Sequence, residues 1–209
     1  AVAILMENHL NYLDFFWSCL RSGLYAVPLN RYSTPEELAY ILEDSGAQAV
    51  VTSEFLGAKA SELIEKMSVD PRKVMVGVAL PGWESYDDIL DAYKAEPLAE
   101  ELMGDQMPYT SGTTGRPKGV VRPRAAAKAS DTWVRIPFFC EHFDLSDDMM
   151  YYAPAPMYHG APLQFMRAVT CLGGTIVQVQ KFDEVRVLQH IQDYGITHTQ
   201  MVPTMFVRM

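Results

Sequence analysis

Short, continuously apolar runs alternate with amphipathic helical stretches along this chain, and no other feature constrains its fold as much. In the first half the runs are AVPLN (Ala26–Asn30), AQAVVTS (Ala47–Ser53) and KVMVGVA (Lys73–Ala79). None follows a strict apolar–polar alternation, so each strand is expected to be covered on both faces. Helical patterns separate them. HLNYLDFFWSCLRSG (His9–Gly23) predicts a helix closed by Gly23. Thr34-Pro35-Glu36-Glu37 opens a second: Thr34 can cap it, Pro35 suits the first turn, and Glu37 completes a capping box. That helix ends at Gly46, and Leu56–Met67 predicts a third. Doubly covered strands alternating with helices predict an α/β fold, with mostly parallel sheets covered by helices.

The stretch Pro81–Asp105 is less regular. Trp83 and SYDDILDAY predict a turn and a short helix, and the acidic run Glu96–Glu101 a solvated connector. The second half resumes the alternation. Ala125–Cys140 predicts a helix whose end Pro137 limits, and MMYYAPAP a strand with a proline-rich exit. HGAPLQFMRAVTCLGG predicts a helix stopped by Gly173-Gly174, and TIVQVQ a strand. Asp183 is placed to cap EVRVLQHIQDYG. THTQMVP predicts a further strand, and Pro203 opens a last helix. Two α/β subdomains are expected, over 1–105 and 125–209, with 106–124 forming a loop and its flanking strands.

Composition excludes some function classes. Of 209 residues, 49% are apolar and 21% charged, which suits a packed core. The net charge of −9 argues against a nucleic-acid partner, which usually needs a basic patch. The cysteines Cys19, Cys140 and Cys171 show no metal or CxxC spacing. Cys19 and Cys171 lie in apolar stretches and are expected to be buried, inert thiols. This usage fits a reducing compartment. No transmembrane run is present, and the opening AVAILMENH lacks the basic start and cleavage site of a leader. A cytoplasmic location is expected.

The chemistry concentrates in YTSGTTGRPKG, Tyr109–Gly119. Glycines let backbone N–H groups turn toward a ligand, hydroxyls add donors and a metal ligand, and Lys118 supplies a cation. Together they suit a polyphosphate. A Gly/Ser/Thr cluster alone is more often a surface linker, but a linker has no reason to end in Arg-Pro-Lys-Gly and enter Val120-Val121. The spacing is not that of a Walker A loop, which needs Gly-Lys-Ser/Thr opening a helix. Pro117 pushes Arg116 toward extended geometry, so a hairpin-like loop between two strands is expected.

YTSGTTGRPKG resembles the phosphate-binding signature of adenylate-forming enzymes, which include acyl-CoA synthetases, peptide-synthetase adenylation domains and beetle luciferases. Asn8–Asn30, APAPMYHGAPL (Ala153–Leu163), LGGTIVQVQKFD (Leu172–Asp183) and THTQMVPTMF (Thr197–Phe206) resemble the family in order and spacing, so the resemblance covers nearly the whole chain. It implies two α/β subdomains of the family's large N-terminal domain. It also implies a fragment: the adenine segment, the ribose-binding aspartate, the hinge and the small C-terminal domain would lie beyond residue 209.

The implied reaction is that of an ATP-dependent acyl-CoA ligase, with ATP, Mg2+ and coenzyme A, acting on a small carboxylate such as a fatty acid. By resemblance, Thr110 is the metal position, Ser111, Thr113 and Thr114 are hydroxyl donors, Gly112 and Gly115 keep the backbone open, and Lys118 neutralises phosphate. His159 is matched to the family histidine near the acyl pocket. A lone histidine is more often a packed or surface residue, and His190 and His198 are read that way. Arg116, Arg122 and Arg124 are read as solvated charges. Many relatives carry a histidine just after the loop, where this chain has Val121-Arg122-Pro123-Arg124. Two alternatives stay open: an adenylating enzyme that loads a carrier protein, and a non-catalytic nucleotide-binding remnant. A homodimer is also left open.

Overall fold

The computed structural model describes residues 1–110, 115–122, 128, 131 and 133–209. They form two compact units, Ala1–Glu7 with Asn11–Ser130, and Asn8–Leu10 with Asp131–Met209.

The first unit is built on a parallel sheet. Its strands are β1 (Val2–Leu5), β2 (Tyr25–Pro28), β3 (Ala49–Ser53), β4 (Arg72–Val76), β5 (Glu84–Ser85) and β6 (Asp105–Gln106). Their order is β5-β4-β3-β1-β2-β6, and every pairing is parallel. Helices α1 (Tyr12–Arg21), α2 (Pro35–Asp44), α3 (Gly57–Lys66) and α4 (Tyr86–Ala92) accompany it. Successive residues Ala3, Ile4 and Leu5 are all fully buried, as expected of a central strand covered on both faces. The capping box forms as the sequence predicts: Glu37 N–H donates to Thr34 Oγ1, and Thr34 N–H donates to the Glu37 carboxylate.

The opening run Val2–Leu5 is the strand between β2 and β3. Two further strands carry no apolar run: β5 pairs at one edge through Glu84 and Ser85, and β6 at the other through Asp105 and Gln106. Gly104 explains how the chain reaches β6. Its N–H donates to the Leu20 carbonyl at 2.6 Å. A Cβ there would meet the Leu24 and Cys19 carbonyl oxygens at 2.2 and 2.4 Å, so only glycine allows this approach.

The second unit has its own parallel sheet, ordered β10-β9-β11, from β9 (Met150–Ala153), β10 (Thr175–Gln178) and β11 (His198–Thr199). Helices α5 (Ile136–Phe143), α6 (Gly160–Leu172), α7 (Glu184–Asp193) and α8 (Pro203–Arg208) belong to it. Asp183 caps α7 by accepting from the Val185 and Arg186 N–H groups, and α6 ends on Gly173 with φ of +87°.

Two expectations are corrected here. Pro137 does not limit a helix end. It sits in the first turn of α5, where its missing N–H has no intrahelical partner to lose, and the helix runs on to Phe143. Trp133, Val134 and Arg135 precede the helix, and Lys128 forms an antiparallel bridge with Leu102. Cys171 is exposed, because α6 turns Met166, Ala168 and Val169 inward and leaves that position outside; Cys19 is buried as expected. Among the described residues no helix is long and apolar enough to cross a membrane.

Candidate functional site

The loop is closed by a short antiparallel hairpin, β7 (Tyr109–Thr110) with β8 (Lys118–Gly119). Thr110 stands opposite Lys118, and Tyr109 opposite Gly119. Directly opposed residues share a face of the ribbon, with Cβ atoms about 5 Å apart. The hairpin therefore sets one hydroxyl and one cation side by side at the mouth of the loop, both exposed. Gly115 lies beyond them with φ of +86°, a conformation that side chains resist. Ser111, Gly112, Thr113 and Thr114 lie outside the described residues, as does Arg124.

So short a hairpin is marginal by itself, and its anchors come from elsewhere in the first unit. The Tyr109 hydroxyl donates to Asp44 Oδ2 at 2.6 Å, at the end of α2. Burial, then the bond to Asp44, pushes the Tyr109 phenol well above its ordinary value, so it remains a neutral donor. The Arg116 guanidinium lies 5.2 Å from the ring centroid of Tyr40, also on α2. Arg116 is thus a contact to α2 as well as an exposed charge. On the far side, the Tyr25 hydroxyl donates to the Arg122 carbonyl at 2.8 Å, and Val120 N–H to the Pro108 carbonyl.

A groove of about 420 Å³ runs between the loop and α2. Glu36, Glu37 and Glu43 line it with Lys66 and Arg116. Glu36 already pairs with Lys66 at 3.1 Å, so a polyphosphate there would face net negative charge. The Thr110–Lys118 pair offers one hydroxyl and one cation, donors that suit phosphate oxygens.

In the second unit, His159 is the residue before α6, with an extended backbone and no capping bond from its side chain. Its N–H donates to the Pro156 carbonyl, and its carbonyl accepts from Leu163 N–H. The ring lies 4.3 Å from that of Tyr158. The residue is exposed, yet desolvation of its ring holds the imidazole below its ordinary value, which favours the neutral form at pH 7. His190 and His198 have local partners: Tyr152 Oη lies 3.2 Å from His190 Nδ1, and Thr197 Oγ1 lies 2.7 Å from His198 Nδ1. Gly174 packs against Met149, so the Gly173-Gly174 pair acts as a helix stop and close contact.

Sequence reasoning missed Asp44, Tyr40 and Asn8. The Asn8 amide donates to the carbonyls of Ala155 and Val179, and its oxygen accepts from Met157 N–H. Partners 147 to 171 positions away leave no local signal.

The family model for AMP-binding enzymes matches residues 1–209. A long-chain-fatty-acid–CoA ligase from Mycobacterium tuberculosis is 29% identical over 97% of this chain and 39% of its own length. A fatty acid–[acyl-carrier-protein] ligase from Streptomyces coeruleorubidus is 30% identical over 100% of this chain and 39% of its own. The chain thus spans 39% of these curated relatives. Among solved structures, the N-terminal domain of FACL13 from Mycobacterium tuberculosis matches with a TM-score of 0.77. That match has 24% identity, over 98% of this chain and 50% of that one. It shares the α/β architecture described above.

Proposed function

The chain belongs to the AMP-binding enzyme family of adenylate-forming proteins, and we propose that it carries the phosphate-loop portion of an ATP-dependent acyl-CoA ligase. The whole protein would join a carboxylate, with fatty acids the leading class, to the α-phosphate of ATP. Pyrophosphate would leave, and the acyl group would pass to coenzyme A. The observation that carries this reading is the Thr110–Lys118 pair at the mouth of a Gly/Ser/Thr loop.

An anion must attack a polyanion, so catalysis needs positive charge and oriented donors around the phosphates. Lys118 would neutralise the β- and γ-phosphate oxygens as they become pyrophosphate. Gly115 and the loop before it would bring backbone N–H groups close, and the Tyr109 and Tyr25 anchors hold the ribbon still. When bound, Mg2+ supplies further charge to the phosphates. The Thr110 hydroxyl is an oxygen ligand of the type it accepts. No cluster of three or more His, Cys, Asp or Glu side chains able to hold a metal occurs among the described residues. Thr110 is the ligand we assign from this chain. His159, as a neutral ring, would hydrogen-bond the reacting carboxylate.

The test is carboxylate-dependent exchange of pyrophosphate into ATP by the full-length protein. Lys118→Ala should lower exchange by about 100-fold, the order lost when one preorganised donor is removed. Unchanged exchange in that variant would overturn the loop assignment. Nucleotide binding without any exchange in the wild type would favour a non-catalytic remnant. The carrier-protein relative supports a second reading of the acceptor. Supplying coenzyme A and acyl carrier protein in separate assays decides between the two.

A further inference from the structure

We infer that Asn8 is a positioning residue for His159, acting through the turn that joins β9 to α6. The inference rests on the role proposed above for His159. β9 ends at Ala153, and the chain continues Pro154-Ala155-Pro156-Met157. Pro154 and Pro156 have no N–H, so this exit cannot extend the ladder, and its remaining polar groups need partners from outside the strand. Asn8 provides them. Its Nδ2 donates to the Ala155 carbonyl at 3.0 Å, and its Oδ1 accepts from Met157 N–H at 2.9 Å. The second Nδ2 hydrogen goes to the Val179 carbonyl at 3.0 Å, just past β10.

One amide thus bridges the carboxyl ends of β9 and β10, which are parallel neighbours in their sheet. Ligands of open α/β sheets bind outside the carboxyl ends of the strands. The next links lead to His159. Pro156, between the two bonded residues, accepts from His159 N–H at 3.2 Å, and the His159 carbonyl accepts the bond from Leu163 at 3.3 Å. The backbone of His159 is therefore held between the Asn8-fastened turn and α6. The chemistry requires asparagine. Two carbonyls and one N–H must be met by two donors and one acceptor in a fixed plane. A carboxylate offers no donor, and an apolar side chain offers neither.

The prediction is tested in the full-length protein with Asn8→Ala, His159→Ala and the double variant. Pyrophosphate exchange is read with whichever acid in a panel of fatty and aromatic acids gives the highest wild-type rate. Asn8→Ala should lower kcat by about 10- to 100-fold, as a misplacement of about 1 Å can. KM for ATP should stay within about twofold. The double variant should be no more than about twofold slower than His159→Ala, since residues acting as a unit are not additive. Losses that multiply, or an unchanged kcat in Asn8→Ala where His159→Ala is slow, overturn the inference.

A second readout needs no substrate. The imidazole of His159 is titrated by NMR, and Asn8→Ala should move its pKa up toward the free value as the turn loosens. Identical titration in both proteins overturns the positioning role. A shifted titration with full exchange activity in His159→Ala upholds the positioning of His159 and overturns its proposed part in the reaction. Should Asn8→Ala fail to fold, Asn8→Asp serves in its place: it is isosteric, keeps the Met157 bond and loses both donors.

Discussion

Gly119→Ala should weaken the hairpin through one neighbour, Tyr109. The two residues are opposed across the ribbon. The bond from Val120 N–H to the Pro108 carbonyl marks the adjacent pair as hydrogen-bonded. The Tyr109–Gly119 pair is then the close, non-bonded kind, with Cα atoms about 4.5 Å apart. A Cβ on residue 119 would lie 3.0 Å from Tyr109 Cζ and 3.1 Å from its hydroxyl oxygen. Carbon contacts are best at about 3.5–4.0 Å, so the ring must retreat by about 0.5 Å. It cannot do so without disturbing its 2.6 Å bond to Asp44. Overpacking costs about 1–3 kcal/mol, and the open hairpin can relax, so about 1–1.5 kcal/mol is expected. For a chain of this size that is a fall in Tm of roughly 2–6 °C. Urea unfolding should show a lower midpoint with an unchanged slope. In a Tyr109→Leu background the cost of Gly119→Ala should drop below about 0.5 kcal/mol, giving a coupling energy near 1 kcal/mol. If the alanine costs as much with leucine opposite as with tyrosine, the clash argument is wrong.

Three further outcomes follow from the described contacts. Gly104→Ala should be far more severe, about 3 kcal/mol or more, because its Cβ would meet carbonyl oxygens of the backbone rather than a movable side chain; thermal unfolding reads it directly. Thr34→Ala should cost about 1 kcal/mol by removing the bond to Glu37 N–H, and Thr34→Ser should recover most of it in the same urea assay. Asp183 has its carboxyl held below the ordinary value, first by the Arg186 N–H. Its contribution should therefore be fully present above the unfolded value of about 3.9 and be lost as pH falls through the lower folded value. The stability gap between wild type and Asp183→Ala should stay constant from pH 7 to pH 5 and close in more acid solution.

The elements legible in the sequence were those fixed by local chemistry. Thr34 and Asp183 announce their helices because a cap needs only neighbours within the first turn. AVVTS and KVMV announce strands because burial on both faces leaves an unbroken apolar run. The hairpin could be read too, since Pro117 and the spacing of Gly115 from Lys118 exclude a strand–loop–helix. β5 and β6 were not legible, because each is an edge strand of two residues whose pairing comes from its neighbour's backbone. Pro137 is ambiguous in sequence for a similar reason: a proline can open a helix or end one, and the pattern around Ala125–Cys140 does not fix which. Of the candidate site, the sequence displays Thr110, Gly115 and Lys118 but not Asp44 or Tyr40, whose importance is purely spatial.

That division has a physical cause. A loop that must wrap a polyphosphate needs glycines and short hydroxyl side chains, and both are poor at holding a chain in place. Fixing each such residue costs about 1–2 kcal/mol of backbone entropy, most for glycine. A ribbon with two residue pairs returns little of that. The rigidity must be supplied by residues outside the loop, with larger side chains and partners of their own. Tyr109 on Asp44, Arg116 over Tyr40 and Tyr25 on the Arg122 carbonyl meet that requirement. His159 presents the same arrangement on a smaller scale: the side chain proposed to meet the carboxylate makes no capping bond, and Asn8 fastens the turn beneath it. In both places the groups proposed to act are sequence-local while the groups that hold them are not. Substituting the holders should therefore change rates without removing a single group that touches substrate.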